Sequence, residues 1–157
     1  MTRPTYSVWP FLAVMSAITA VHVYLITHTL RSPSPLAGVW FTVFALAIVP
    51  IIIHAAFRML WNPAVSAYPP VPPAADALHK TYQSFSLGIV NMGFSIHAST
   101  DEMYLHLTPI APMRFFGARA ASIPWSALKP GKRVKTTAML DGLVLQGPAW
   151  CFERLRS

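Results

Sequence analysis

At 157 residues, with 54% hydrophobic and only 11% charged, this chain falls well short of the roughly 25% charge of a soluble domain, and an ordinary soluble globule is excluded. A formal charge of +7 would suit nucleic acid, but no basic face interleaved with aromatics and no nucleic-acid-binding motif accompanies it, so no nucleic-acid partner is expected. The single cysteine, Cys151, rules out an intrachain disulfide and agrees with a reducing compartment.

The first two elements explain the charge deficit. No Lys, Arg, Asp or Glu occurs from Pro4 to Leu30, or from Ser32 to Phe57. Each stretch exceeds the roughly 20 residues that cross a hydrocarbon core at 1.5 Å per residue. "VWPFLAVMSAITAVHVYLI" and "VWFTVFALAIVPIIIHAAF" are apolar on every side, as lipid-facing helices are. The sequence therefore predicts a transmembrane hairpin over residues 1–61, with helices at about 7–30 and 37–60. The first apolar run is longer than a signal-peptide core and no small-x-small cleavage site follows it. Trp9 and Trp61 at one end, with Trp40 and Tyr24 towards the other, are placed as interfacial aromatics. The short "THTLRSPSPLAG" connection makes the helices antiparallel neighbours. Arg3, Arg58 and Lys80 against Arg31 place both termini in the cytoplasm by the positive-inside rule. Pro50 lies mid-span, where it kinks the second helix and frees a carbonyl near Leu46 for a neighbour. Small residues (Ala13, Ala17 and Ala20; Ala45 and Ala47) allow close approach of other helices.

"NPAVSAYPPVPPAAD" is too rich in proline for helix or central strand, so residues 62–82 read as a stiff, extended linker, with one turn of helix in "DALHKTY". From about Gln83 the period changes to two, predicting a β-domain over 83–157 with five to seven mostly antiparallel strands. Phe94, Ile96 and Ala98 alternate with Ser95, His97 and Ser99, and "STDE" makes a four-residue hairpin connection that pairs Ala98 with Met103. Asp141-Gly142 between "RVKTTAML" and "LVLQG" marks a second hairpin, because both turn residues need positive φ. In "ASIPWSALKPGKRVK", Pro124 ends a strand, Trp125 folds over the open end of the sheet, and a basic loop follows.

The succession "GFSIHASTDEMYLHL", "MRFF", "ASIPWSAL", above all Ile123-Pro124-Trp125-Ser126, resembles the cytoplasmic β-domain of small bacterial two-helix membrane proteins. It is more distantly similar to pleckstrin-homology-like and GRAM-like domains. The resemblance covers residues 84–128 and implies a bacterial cytoplasmic (inner) membrane location and a scaffold or binding role, with no catalytic residues to carry over. No clear amphipathic C-terminal helix is apparent, so the β-domain is either pleckstrin-like or an open sheet.

Few residues suggest chemistry. Asp101, Glu102 and Asp141 fall in predicted turns, where acids are ordinary turn formers. No phosphate loop, nucleophile elbow or zinc-protease motif occurs, so no catalytic residue and no enzymatic activity are expected. His22 and His54 lie within spans and are the cofactor candidates. Their heights in an antiparallel hairpin differ by about 15 Å, which forbids a shared haem but leaves single-histidine ligation of a haem or chlorin open. His97 and His106 fall diagonally on one sheet face, the start of a zinc site without a third ligand, so no metal is expected. Lys129, Lys132, Arg133 and Lys135 form a basic loop suited to anionic lipid headgroups. Trp125, Pro124 and Pro50 are the candidate partner contacts. These features lead to a non-enzymatic accessory subunit of a larger membrane complex, respiratory or photosynthetic complexes being suitable hosts. The alternative is a stand-alone lipid- or protein-binding module.

Overall fold

The computed structural model describes residues 9–31, 35–131 and 135–155. Two apolar helices come first, α1 (Trp9–Arg31) and α2 (Pro35–Ala56). Two helical stretches are long and apolar enough to cross a membrane, Trp9–His28 in α1 and Leu46–Val65, which runs from the second half of α2 into the turns that follow it. They run antiparallel: the ring of His22 lies 5.9 Å from that of Phe44, while Phe11, near the start of α1, reaches the core that contains Phe57. Pro50 sits inside α2, half-buried.

The second helix does not end where the apolar run meets the linker. A π-helical turn (Phe57–Trp61) carries it into a further α-helical turn, α3 (Asn62–Val65), with the Asn62 N–H bonded to the Phe57 carbonyl. A π turn re-aims the residues that follow it, and here the surroundings of the helix change. Leu46, Val49 and Ile51 are exposed, whereas Phe57, Leu60, Trp61 and Val65 are buried in the core of the β-domain. Trp61, expected at a lipid interface, is fully buried, and its indole N–H donates to the Arg119 carbonyl at 2.8 Å.

Seven strands follow: β1 (Leu78–Leu87), β2 (Val90–Thr100), β3 (Tyr104–Pro109), β4 (Ala121–Pro124), β5 (Leu128–Pro130), β6 (Thr137–Leu140) and β7 (Leu143–Gln146). They form one antiparallel sheet in the order β4-β3-β2-β1-β7-β6-β5. A flat seven-strand sheet would be about 29 Å from first strand to last. Yet its outermost strands, β4 and β5, are joined only by the 3-10 turn Trp125–Ala127, which reaches about 14 Å. The sheet must therefore curl until its edges approach, enclosing Phe85, Leu87, Ile96, Leu105, Leu107, Ile123, Leu140 and Leu145. A C-terminal 3-10 helix (Ala149–Leu155) places Cys151 and Phe152 in the same interior.

The local expectations fare unevenly. The Asp141-Gly142 turn joins β6 to β7 with φ of 48° and 87°, as that dipeptide requires. The helical turn expected in "DALHKTY" is absent; from Leu78 onwards those residues belong to β1. They are exposed β-capable residues whose backbone groups pair with β2, and that ladder outweighs their weak helical preference. The β2–β3 hairpin also differs from expectation. Ala98 pairs with Leu107 instead of Met103, because the turn begins at Asp101 and not at Ser99. Asp101 Oδ1 caps the N–H groups of Met103 (2.9 Å) and Tyr104 (2.7 Å), an Asx arrangement that fixes Asp as the first turn residue. The slip is an even number of residues, so His97 and His106 still share a face. Phe94, expected inside, is 74% exposed with φ of 50°. It sits where the β1–β2 register shifts, opposite a second irregularity marked by Tyr82 at φ 52°.

Candidate functional site

Two constellations gather the polar side chains. The first is the helix–sheet junction. The segment after β3 folds into a short helix, α4 (Ala111–Phe115), and the chain then turns back through Gly117, whose φ of 93° favours glycine. This segment grips the end of the second helix. His54 Nδ1 lies 3.1 Å from the Phe116 carbonyl, to which it donates. Asn62 binds both ways, donating to the Gly117 carbonyl at 2.9 Å and accepting from the Arg119 N–H at 3.0 Å. With the Trp61–Arg119 bond, these contacts cover two turns of helix. Met113 and Phe116 pack inward on the core, while Arg114 and Phe115 point outward. Arg58 and Arg119 are likewise exposed.

The second constellation is a row of polar residues across four strands. The registers place His79, Ser99, His106 and Ser122 side by side on β1, β2, β3 and β4. Ser99, His106 and Ser122 are buried. His79 Nδ1 is 2.7 Å from Ser99 Oγ. His106 Nδ1 is 2.9 Å from Ser122 Oγ, and His106 Nε2 is 2.8 Å from Asp101 Oδ2. One tautomer satisfies every member: the Val71 N–H donates to Ser122 Oγ (2.8 Å), the Ser122 hydroxyl to His106 Nδ1, and His106 Nε2–H to Asp101. Ser122 Oγ is also 3.3 Å from the Val71 carbonyl.

The proline-rich segment closes over this row. The Tyr68 carbonyl accepts from Ser122 N–H, Tyr68 Oη donates to Asp141 Oδ2 at 2.5 Å, and the Ala74 N–H donates to Asp101 Oδ2 at 3.2 Å. The segment expected as a spacer is thus a strap fastened to β4 and to two turns. Burial by itself raises the Asp101 pKa, but the hydrogen bonds from His106, Met103, Tyr104 and Ala74 outweigh it and hold the carboxyl well below its ordinary 3.8. A buried Asp–His–Ser line invites comparison with a nucleophile triad. Here, however, Ser122 is 3% exposed and its oxygen is occupied by the strap, so the line acts as a hydrogen-bonded clasp in this conformation.

The remaining sequence candidates separate. His22 and His54 do not meet: His22 is level with Phe44, ten residues before His54, or about 15 Å along the helix. Pro124 is the last residue of β4, and Trp125 packs half-buried over the Asp101 turn, its indole N–H donating to the Asp101 carbonyl at 3.0 Å. Lys129 and Lys135 are exposed, while Lys132 and Arg133 lie outside the described residues. Among the described residues no group of three or more His, Cys, Asp or Glu side chains is placed to hold a metal ion. His97 stands apart from any such set, its buried Nδ1 without a hydrogen-bond partner.

Sequence reasoning missed Asn62, Ser122 and the Arg58–Arg114–Arg119 group. Asn62 had a signal, a lone amide-bearing residue directly after the apolar run. Ser122 had none, since its partners lie 16 and 51 residues away. Comparison with family models, curated proteins and solved structures finds no match to the chain.

Proposed function

We propose that the protein is a non-enzymatic accessory subunit of a membrane assembly, its two apolar helices spanning the bilayer and its β-domain braced against one face. The observation that carries this reading is the burial of Phe57, Leu60, Trp61 and Val65, the last turns of the second helix, in the β-domain core. A recognition module that samples partners is usefully hung on a flexible linker. A brace needs a fixed height and orientation, which a helix running into the core supplies. Val14, Val21 and Val23 on α1 are exposed, as are Ala13, Ala17 and Ala20, leaving a face for larger neighbours to pack against. The curled seven-strand meander also suits the pleckstrin-like resemblance, which favours binding over catalysis. A bacterial inner membrane and cytoplasmic termini belong to the same proposal.

Purification of the tagged full-length chain from its own membranes in mild detergent, with mass spectrometry of what accompanies it, tests the reading. A stoichiometric set of larger membrane proteins is the expected result. A lone monomer or homodimer overturns it.

A further inference from the structure

We infer that Arg58, Arg114 and Arg119, with Phe115 between them as an apolar wedge, form a collar that binds anionic phospholipid where the second helix leaves the bilayer. The inference rests on the reading of α1 and α2 as membrane spans and adds the site and its lipid partner.

The level of the collar follows from helix length. α2 has 22 residues, about 33 Å of rise, which already covers a hydrocarbon core of about 30 Å. The next turns are enclosed by the β-domain, so the membrane surface falls near residues 54–58. At that level His54 binds the Phe116 carbonyl and packs on Gly117, while about two turns further Trp61 and Asn62 bind Arg119 and Gly117. Arg58 lies on the helix between these anchor points, four residues after His54 and therefore on its side of the helix. Arg114 and Arg119 flank the gripping segment itself. Trp9, 76% exposed at the start of α1, marks the same level from the other helix, since Phe11 beside it touches the core.

The side chains suit that place. Phe115 is 84% exposed, and its ring stands edge-on to Phe116 at 5.3 Å while Phe116 packs on the core. An aromatic so exposed next to an apolar helix end is in keeping with an interface residue. The three exposed arginines, one on the helix end and two on the gripping segment that carries Phe115, are suited to lipid phosphates, which guanidiniums bind through bidentate hydrogen bonds. The described residues nearest in sequence to the collar, from Ile53 to Val65 and from Ile110 to Ala120, include no acid to compete. The basic loop at Lys129 is a separate feature, on the edge strand β5.

The full-length chain is reconstituted in phosphatidylcholine vesicles with or without phosphatidylglycerol. An environment-sensitive fluorophore is attached at Phe115→Cys or, as control, at Met103→Cys. Met103 is also exposed but lies at the opposite end of β3 from α4, about 20 Å away. Cys151 is buried and stays unlabelled. A lipid quencher placed near the headgroup should quench the probe at 115 and spare the one at 103, more strongly as phosphatidylglycerol is added. Each single Arg→Gln change at 58, 114 or 119 should move that titration about fivefold, and the triple change should abolish it. A dark response at 115, equal quenching at 103, or indifference to the triple change overturns the inference. Alkaline carbonate extraction of the same vesicles separates the two failures: a chain that washes off sinks the membrane reading as well, whereas one that stays with an unquenched probe sinks the collar alone.

Discussion

The His106 ring nitrogen Nε2 lies 2.8 Å from Asp101 Oδ2, with both side chains less than a tenth exposed. The pair joins the β2–β3 turn to the strap, because the same carboxylate accepts from Ala74, Met103 and Tyr104. Four hydrogen bonds to one carboxylate make Asp101 a keystone of the polar row.

Asp101→Asn should therefore lower the unfolding free energy near neutral pH by about 1–3 kcal/mol, the scale of hydrogen bonds to a charged group. The pH dependence has a definite sign. The folded-state pKa is depressed, so the stabilisation is present above the ordinary value of 3.8 and is lost as pH falls below it towards the folded value. Unfolding midpoints of wild type and Asp101→Asn, followed by tryptophan fluorescence in detergent, should differ by a constant amount above pH 5 and converge below about pH 4. Parallel curves throughout would show that the carboxylate charge contributes nothing.

The junction makes its own prediction. Asn62→Ala removes both partners of the Gly117 carbonyl and the Arg119 N–H. One of these bonds is part-buried and the other exposed, so each is worth about 0.5–1.5 kcal/mol. Trp61→Ala removes a fully buried indole and should cost about 3–5 kcal/mol. Because the loosened segment carries Arg114 and Arg119, trypsin should cut there faster in Asn62→Ala than in wild type, while cleavage after the exposed Lys135 stays unchanged. Equal rates at all three sites would show that Asn62 does not hold the segment.

What the sequence made legible follows the range of each interaction. The two apolar helices and the Asp141-Gly142 turn depend on residues adjacent in the chain, and both were readable. The Ala98 register is not legible because two acids and two hydroxyl residues in "STDE" allow several turns, and only the Asp101 carboxylate capping residues 103 and 104 chooses among them. Trp61 reads as a lipid-interface residue in the sequence because an apolar helix facing lipid and one entering a protein core look alike in composition; its bond to Arg119 spans 58 residues. The strap reads as a spacer for the same reason. Prolines forbid helix and ladder, but nothing local says that Val71 meets Ser122. Tyr82 and Phe94 at positive φ were invisible, since bulky residues rarely adopt that conformation.

Gly147 meets Phe85 closely enough to forbid any side chain. A Cβ placed there would lie 2.7 Å from Phe85 Cδ1, 3.0 Å from Cζ and closer still to Cε1. Phe85 is 1% exposed, so its ring has little room to yield. Gly147→Ala should destabilise the β-domain by about 1–3 kcal/mol through overpacking. Phe85→Leu in the same chain should recover part of the loss, giving a favourable coupling in a double-mutant cycle. Additive losses would mean that the ring and the new methyl do not collide.

Cys151 provides a reporter for the whole β-domain. Burial pushes its thiol pKa up to about 12, with Lys80 pulling back only partly. The thiolate is the reactive species, so the folded protein holds almost none of it at pH 8. Alkylation by a maleimide should then proceed only through opening of the C-terminal 3-10 helix or of the sheet beneath it. Its rate should rise with denaturant along the unfolding curve, and should rise in Gly147→Ala without denaturant in proportion to the lost stability. If instead the thiol reacts at the rate of a free cysteine in the native protein, the C-terminal turn is not seated in the core, and the sheet must be closed at that end by something other than Phe152.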